Sequence, residues 1–132
     1  MKKKNILTPS EKILMDVFWE HQEPLTSVEL TQLCSNHDWN QEYILNMLHK
    51  IQKKGFLEVC GTVKYRIKNA RSFRPTITKE EYAAQLALSV GIDVSSFAET
   101  ALAMVAHLGN KEDIINELEQ LIQELKEKEN VR

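Results

Sequence analysis

WNQEYILNMLHKIQKKGFLEVCGTVKYRIKNARSFRPTI, residues 39–77, is the stretch that decides the fold. After Trp39 comes a helical run, 40–54, with apolar positions at Ile44, Leu48 and Ile51. Spacings of four and three put those side chains on one helix face. Gly55-Phe56-Leu57 breaks the helix, and two basic, strand-favouring runs follow on either side of Ile67-Lys68-Asn69. The first, 57–66, holds Val59, Thr62, Val63 and Tyr65; the second, 70–77, returns antiparallel with Phe73 and Ile77 as its larger apolar groups. A helix closed by glycine and followed at once by a basic hairpin is the layout of a winged helix-turn-helix. In that layout the exposed face of the helix, rather than an enzymatic pocket, carries the function.

Toward the N-terminus two further helices are marked by their starts. Thr8-Pro9-Ser10-Glu11 is a capping box with proline at the first helical position. It opens a helix with Ile13, Leu14, Val17 and Phe18 inward, ending near Glu20 before Gln22-Glu23-Pro24. Thr26-Ser27-Val28-Glu29 is a second capping box, starting a short helix that offers Val28, Leu30 and Leu33 to the core. Ser35-Asn36-His37-Asp38 turns the chain into the helix at 40–54. Three such helices, the last two joined by a short turn, form a helix-turn-helix core.

Beyond the hairpin, Thr78-Lys79-Glu80-Glu81 is a third capping box, and the domain boundary is placed there: 1–77 as the winged domain, 78–132 as a helical region. Gly91-Ile92-Asp93 interrupts the first helix of that region. The next, 94–108, carries Val94, Phe97, Ala98, Ala101, Leu102 and Val105 as a stripe. Gly109-Asn110 stops it. In the last helix, 111–129, Ile114, Leu118, Leu121 and Leu125 repeat at four, three and four, with Ile115 and Ile122 beside them. So wide a seam needs a partner surface. Either it packs back on the winged domain or it meets a second copy; two-fold symmetry in small DNA readers favours the second copy, with Phe97, Ala101, Leu102, Val105, Ile114, Leu118, Leu121, Ile122 and Leu125 at the interface. The expected fold is thus mainly α with a small antiparallel hairpin.

Bulk properties narrow the function. The chain has 132 residues, 42% hydrophobic and 27% charged, in the range of ordinary globular proteins. It has no apolar run near the ~20 residues that span a bilayer. Lys2, Lys3 and Lys4 are not followed by a signal-peptide core. Cys34 and Cys60 do not make a disulfide framework, and a cytoplasmic location is expected. The net charge of −2 is unevenly spread: 1–77 has an excess of four basic residues, 78–132 an excess of six acidic ones. A basic half releases counterions on meeting phosphate, whereas an acidic half is repelled by it and suits a protein partner.

With Ile44, Leu48 and Ile51 inward, a rotation of ~100° per residue aims Glu42, Asn46, His49 and Lys53 outward, with Tyr43 and Lys50 beside them and Gln41 at the helix start. Gln and Asn can read adenine, and Glu can accept from cytosine N4. Glu42 costs general affinity for phosphate. Lys64, Arg66, Lys68, Arg71 and Arg74 cluster at or near the hairpin tip, where a wing meets backbone or minor groove.

The ordered set of pieces resembles the penicillinase repressor family of bacterial winged-helix repressors. The likeness rests on Leu7-Thr8-Pro9-Ser10-Glu11 leading to Val17-Phe18-Trp19, then Pro24-Leu25-Thr26 and Trp39. Lys53-Lys54-Gly55-Phe56-Leu57 and Thr78-Lys79-Glu80-Glu81-Tyr82 complete it. The C-terminal helices resemble the family's dimerisation region in length and order. The resemblance implies a homodimeric repressor on a palindromic operator, and a membrane sensor-protease as a possible partner. The recognition helix departs from the family's usual Ser, Pro, Lys, Thr and Val after the Trp, reading Asn40-Gln41-Glu42-Tyr43-Ile44, which implies a different base preference. Copper-responsive members carry a cysteine-rich tail; this one ends Lys126-Glu127-Lys128-Glu129-Asn130-Val131-Arg132. β-Lactam-responsive members are cut at an Asn-Phe bond, whose nearest counterpart, Ser96-Phe97, lacks the Asn.

Other residues read blandly. His21, His37, His49 and His107 share no metal-ligand spacing with the cysteines. Trp19 and Trp39 each adjoin an apolar face and read as core aromatics. Cys60 lacks a resolving partner and reads as a small strand residue. The four glycines form no phosphate-cradling loop, and no nucleophile elbow is present, so no enzyme, cofactor or metal is expected. The rival reading is a winged-helix protein-interaction module whose DNA binding is weak or lost.

Overall fold

Capping side chains set the helix starts. In the computed structural model, which describes residues 6–130, α1 (Pro9–His21) opens with Thr8 Oγ1 accepting from Glu11 N and Glu11 Oε1 accepting from Thr8 N. Lys2, Lys3, Lys4, Val131 and Arg132 lie outside the described residues. The same reciprocal bonds between Thr26 and Glu29 open α2 (Ser27–Leu33). A single 3-10 turn, Ser35–His37, leads to α3 (Gln41–Lys53), capped by Asn40 accepting from Tyr43 N at 2.8 Å. Gly55 at φ 93 takes the left-handed turn out of α3, a conformation that a side chain would strain.

The sheet has one strand more than the expected hairpin. β1 (Leu25–Thr26), β2 (Leu57–Tyr65) and β3 (Lys68–Pro75) lie in the order β1-β3-β2, all antiparallel. Leu25 pairs with Phe73 and Thr26 with Ser72. The hairpin is also tighter than the sequence suggests: Tyr65 pairs with Lys68, so the loop is Arg66-Ile67 alone, with Arg66 left-handed at φ 56. The return strand ends at Pro75, which has no N–H with which to continue the ladder. Ile77 lies beyond it, and its carbonyl accepts from Trp19 Nε1 at 3.0 Å. Cys60 is the extra residue of a bulge between the Val59–Phe73 and Gly61–Ser72 pairs, which bends β2.

The core gathers Leu14, Met15 and Phe18 of α1, Leu30 and Cys34, Ile44, Met47, Leu48 and Ile51 of α3, and Phe56, Leu57 and Phe73 of the hairpin. Burial of each large side chain here contributes about 1.5–3 kcal/mol. Two expected core positions are corrected. Met15 is buried while Ile13 is only half-buried, and Leu33 is 43% exposed while Cys34 takes the inward place at the end of α2. Burial pushes the Cys34 thiol pKa up, away from the reactive thiolate. Trp19 and Trp39 both pack against this core.

Tyr82 closes the core from α4 (Lys79–Val90): its hydroxyl accepts from Leu7 N at 2.8 Å, and its ring meets Phe56 edge-on at 5.3 Å. Thr78 and Glu81 exchange capping bonds at the start of α4. The chain divides into two units, 1–86 and 87–132, and the division falls within α4.

The second unit carries α5 (Val94–Leu108) and α6 (Lys111–Asn130). Asp93 caps α5; hydrogen bonds from the Ser95 hydroxyl and the Ser96 amide and hydroxyl hold its carboxyl below the usual range. Gly109 at φ 71 ends that helix. Among the described residues of 87–129 none is buried. No helix among the described residues is long and apolar enough to cross a membrane.

Candidate nucleic-acid interface

α3 is strongly two-sided. Ile44, Met47, Leu48 and Ile51 are buried, and at 100° per residue Glu42, Asn46, His49 and Lys53 fall within one narrow stripe opposite them. All four are exposed, as are Gln41, Tyr43 and Lys50. Two of these residues are partly engaged within the fold. Gln41 Nε2 donates to Ser27 Oγ at 3.2 Å, which ties the start of α3 to the start of α2. Tyr43 leans on Trp39 with ring centroids 5.6 Å apart, and Trp39 in turn stacks on His37 at 4.7 Å. This aromatic row shapes the N-terminal end of α3, the end that enters a major groove in helix-turn-helix proteins.

A groove of about 770 Å³ runs between α3 and the start of α1. Asn46, Met47, Lys50 and Lys53 form one wall, and Thr8 and Ser10 the other. Among the described residues, neither Lys50 nor Lys53 is in an ion pair. Lys54 is committed instead: its ammonium donates to Glu11 Oε1 at 2.6 Å and to the Ile6 carbonyl at 2.9 Å. That bond pins the end of α3 to the first turn of α1. Thr8 and Ser10 were legible only as helix-start residues; their place beside α3 depends on packing 35 or more residues away in sequence.

The strand register sorts the basic hairpin residues. Side chains of directly paired residues share a face, and faces alternate along a strand. Lys64 and Arg71, opposite Asn69 and Thr62, therefore share one face, while Lys68, opposite Tyr65, lies on the other. Arg66 is in the loop, beside Ile67, which is 91% exposed. Arg74 is a correction to the expected tip cluster. It sits near the base of the hairpin, opposite Glu58, and its Nε donates to that carboxylate at 2.7 Å.

The expected dimer residues divide in a similar way. Phe97, Leu102, Leu118, Leu121, Ile122 and Leu125 are exposed, and Ala101, Val105 and Ile114 are half-buried. The Ser96-Phe97 bond lies in the first turn of α5, with the Ser96 side chain engaged by Asp93. Cys60 Sγ donates to the Ser72 carbonyl at 3.6 Å. Among the described residues no group of three or more His, Cys, Asp or Glu is gathered as a metal would require.

Comparison with curated proteins gives no match. Comparison with family models gives one that covers most of the chain: the family described as Penicillinase repressor, matched over residues 7–124.

Proposed function

We propose, on the premise that this chain belongs to the penicillinase repressor family, that it acts as a homodimer on a two-fold symmetric operator in the cytoplasm. Family membership makes it a DNA-binding transcriptional repressor. The finer reading rests on one observation above the others. α3 carries an exposed polar stripe of Glu42, Asn46, His49 and Lys53 directly opposite its buried face, held rigidly at both ends. Asn40 caps its start, and the Lys54–Glu11 bond anchors its end. A helix fixed in this way can present side chains to base edges without ordering them at the moment of binding.

In this reading α3 enters the major groove and Asn46 makes its base contact, while Lys50 and Lys53 meet phosphate. Lys64, Arg66, Lys68 and Arg71 of the wing hold the flanking backbone. Glu42 accepts from a cytosine amine, or else weakens binding at every sequence by repelling phosphate. The C-terminal apolar face supports the homodimer: about ten turns of helix in α5 and α6 would not leave Phe97, Leu102, Leu118, Leu121, Ile122 and Leu125 in water without a use for them, and a second copy supplies the same face by symmetry.

Asn46 tests the base-reading role. Asn46→Ala should cost about 1–3 kcal/mol of operator affinity and relax preference at one base pair, with the dimer intact. Competition between operator and single-base variants reads both effects. Equal affinity and equal discrimination in mutant and parent would remove Asn46 from the reading face.

A further inference from the structure

The hydroxyl of Tyr65, one residue from the wing tip, lies 3.0 Å from Thr26 Oγ1, and either oxygen can donate. Thr26 is fully buried and is already the cap of α2, accepting from Glu29 N at 3.2 Å. Its neighbour Ser27 accepts from Gln41 at the head of α3. The first residues of α2 therefore hold the wing through one hydroxyl and the recognition helix through the next.

This contact is not one that a flat sheet would make. Thr26 pairs with Ser72 on the middle strand, whereas Tyr65 pairs with Lys68 on the same strand, four residues along. Four residues are roughly 13 Å of strand rise, and β1 and β2 lie on opposite sides of β3. For the two hydroxyls to meet, the hairpin must curl toward its Tyr65 face. The sequence permits this. The bulge at Cys60 bends β2. On the Tyr65 face the register places Val63 and Lys68 together with Gly61, Ala70 and Ser72, and those last three are small; a side chain at Gly61 would already crowd Ser72 Oγ, at 3.1 Å from its Cβ.

We infer that Tyr65 is a positioning residue: its hydroxyl on Thr26 sets the attitude at which the wing cations meet DNA. The inference rests on the operator reading above and deepens it. The wing is otherwise a two-stranded ribbon beyond its last core contact, and such ribbons are marginal alone. Without the tether, the cations of the wing swing over a range of positions and neutralise fewer phosphates.

The test compares Tyr65→Phe with the parent in two backgrounds, the full chain and a variant with Lys64, Arg66, Lys68 and Arg71 replaced by alanine. Operator affinity is measured across salt concentration in each. In the full chain Tyr65→Phe should lower affinity about five- to tenfold and flatten the log–log salt slope by about 1–2, since each phosphate contact contributes about 0.9. In the background without wing cations it should change neither, because the group through which it acts is gone. An unchanged slope in the full chain, or the same loss in both backgrounds, would overturn the role, the latter being the mark of general destabilisation. If the alanine background itself binds like the parent, the wing does not touch the operator, and that failure belongs to the wing reading and takes the Tyr65 role with it.

Discussion

Replacing Leu118 and Leu121 together by aspartate is expected to leave a folded chain that no longer dimerises, and to lower operator affinity by about 10²–10⁴-fold. Neither side chain is part of a core: they are 43% and 44% exposed, so the change costs the single chain little beyond helix propensity. At a two-fold interface the same change is doubled, and four carboxylates must be desolvated against apolar partners at several kcal/mol each. Losing the partner removes the effective concentration that makes the second half-site an intramolecular event. Sedimentation reads the association state, circular dichroism the helix content, and band shift the affinity. A variant that sediments as a dimer would show that this seam is not the interface.

The second large effect lies where the end of α3 meets the first turn of α1. Glu11→Ala should destabilise the N-terminal unit by about 3 kcal/mol, because it strands a half-buried ammonium and removes one of the two bonds of the capping box at once. Glu11 is 2% exposed, and one of its oxygens accepts from both Thr8 N and Lys54 Nζ. In a domain of this size that loss should lower the unfolding midpoint by roughly 10–20 °C. Glu11→Gln keeps a capping acceptor and most of the packing, so it should lose clearly less. The separation between the two variants measures the cap and the charge apart. A Glu11→Ala protein that melts with the parent would mean that the bond to Lys54 does not hold α1 and α3 together.

These pairs show what a single sequence can and cannot disclose. Glu11 was legible as a capping residue, because that bond spans three positions. Its bond to Lys54 spans 43 and follows only from the packing of α1 on α3. The helix starts at Thr8, Thr26 and Thr78 and the stops at Gly91 and Gly109 are local chemistry, and all stand in the structure as read. β1 was invisible because two residues have no periodicity; Leu25-Thr26 becomes a strand only by pairing with Phe73 and Ser72. Lys68 and Arg71 fall on opposite faces by counting alone, but Lys64 joins Arg71 rather than Lys68 only because the loop is two residues long, which the sequence did not fix. Arg74 looked like another wing cation until the register set it opposite Glu58. The outward stripe of α3 was legible because a helix needs only its own period to fix both faces.

The central claim is two-fold, sequence-specific operator binding, and selection of bound duplexes from a random pool at two salt concentrations tests it most directly. The account predicts a symmetric site with half-sites one helical turn or a multiple apart. If each subunit neutralises ~3 phosphates, log affinity should fall against log salt with a slope of about −5. Recovery of nothing above background at low salt, with the dimer intact, would contradict it and point to a protein-interaction module on the same winged fold.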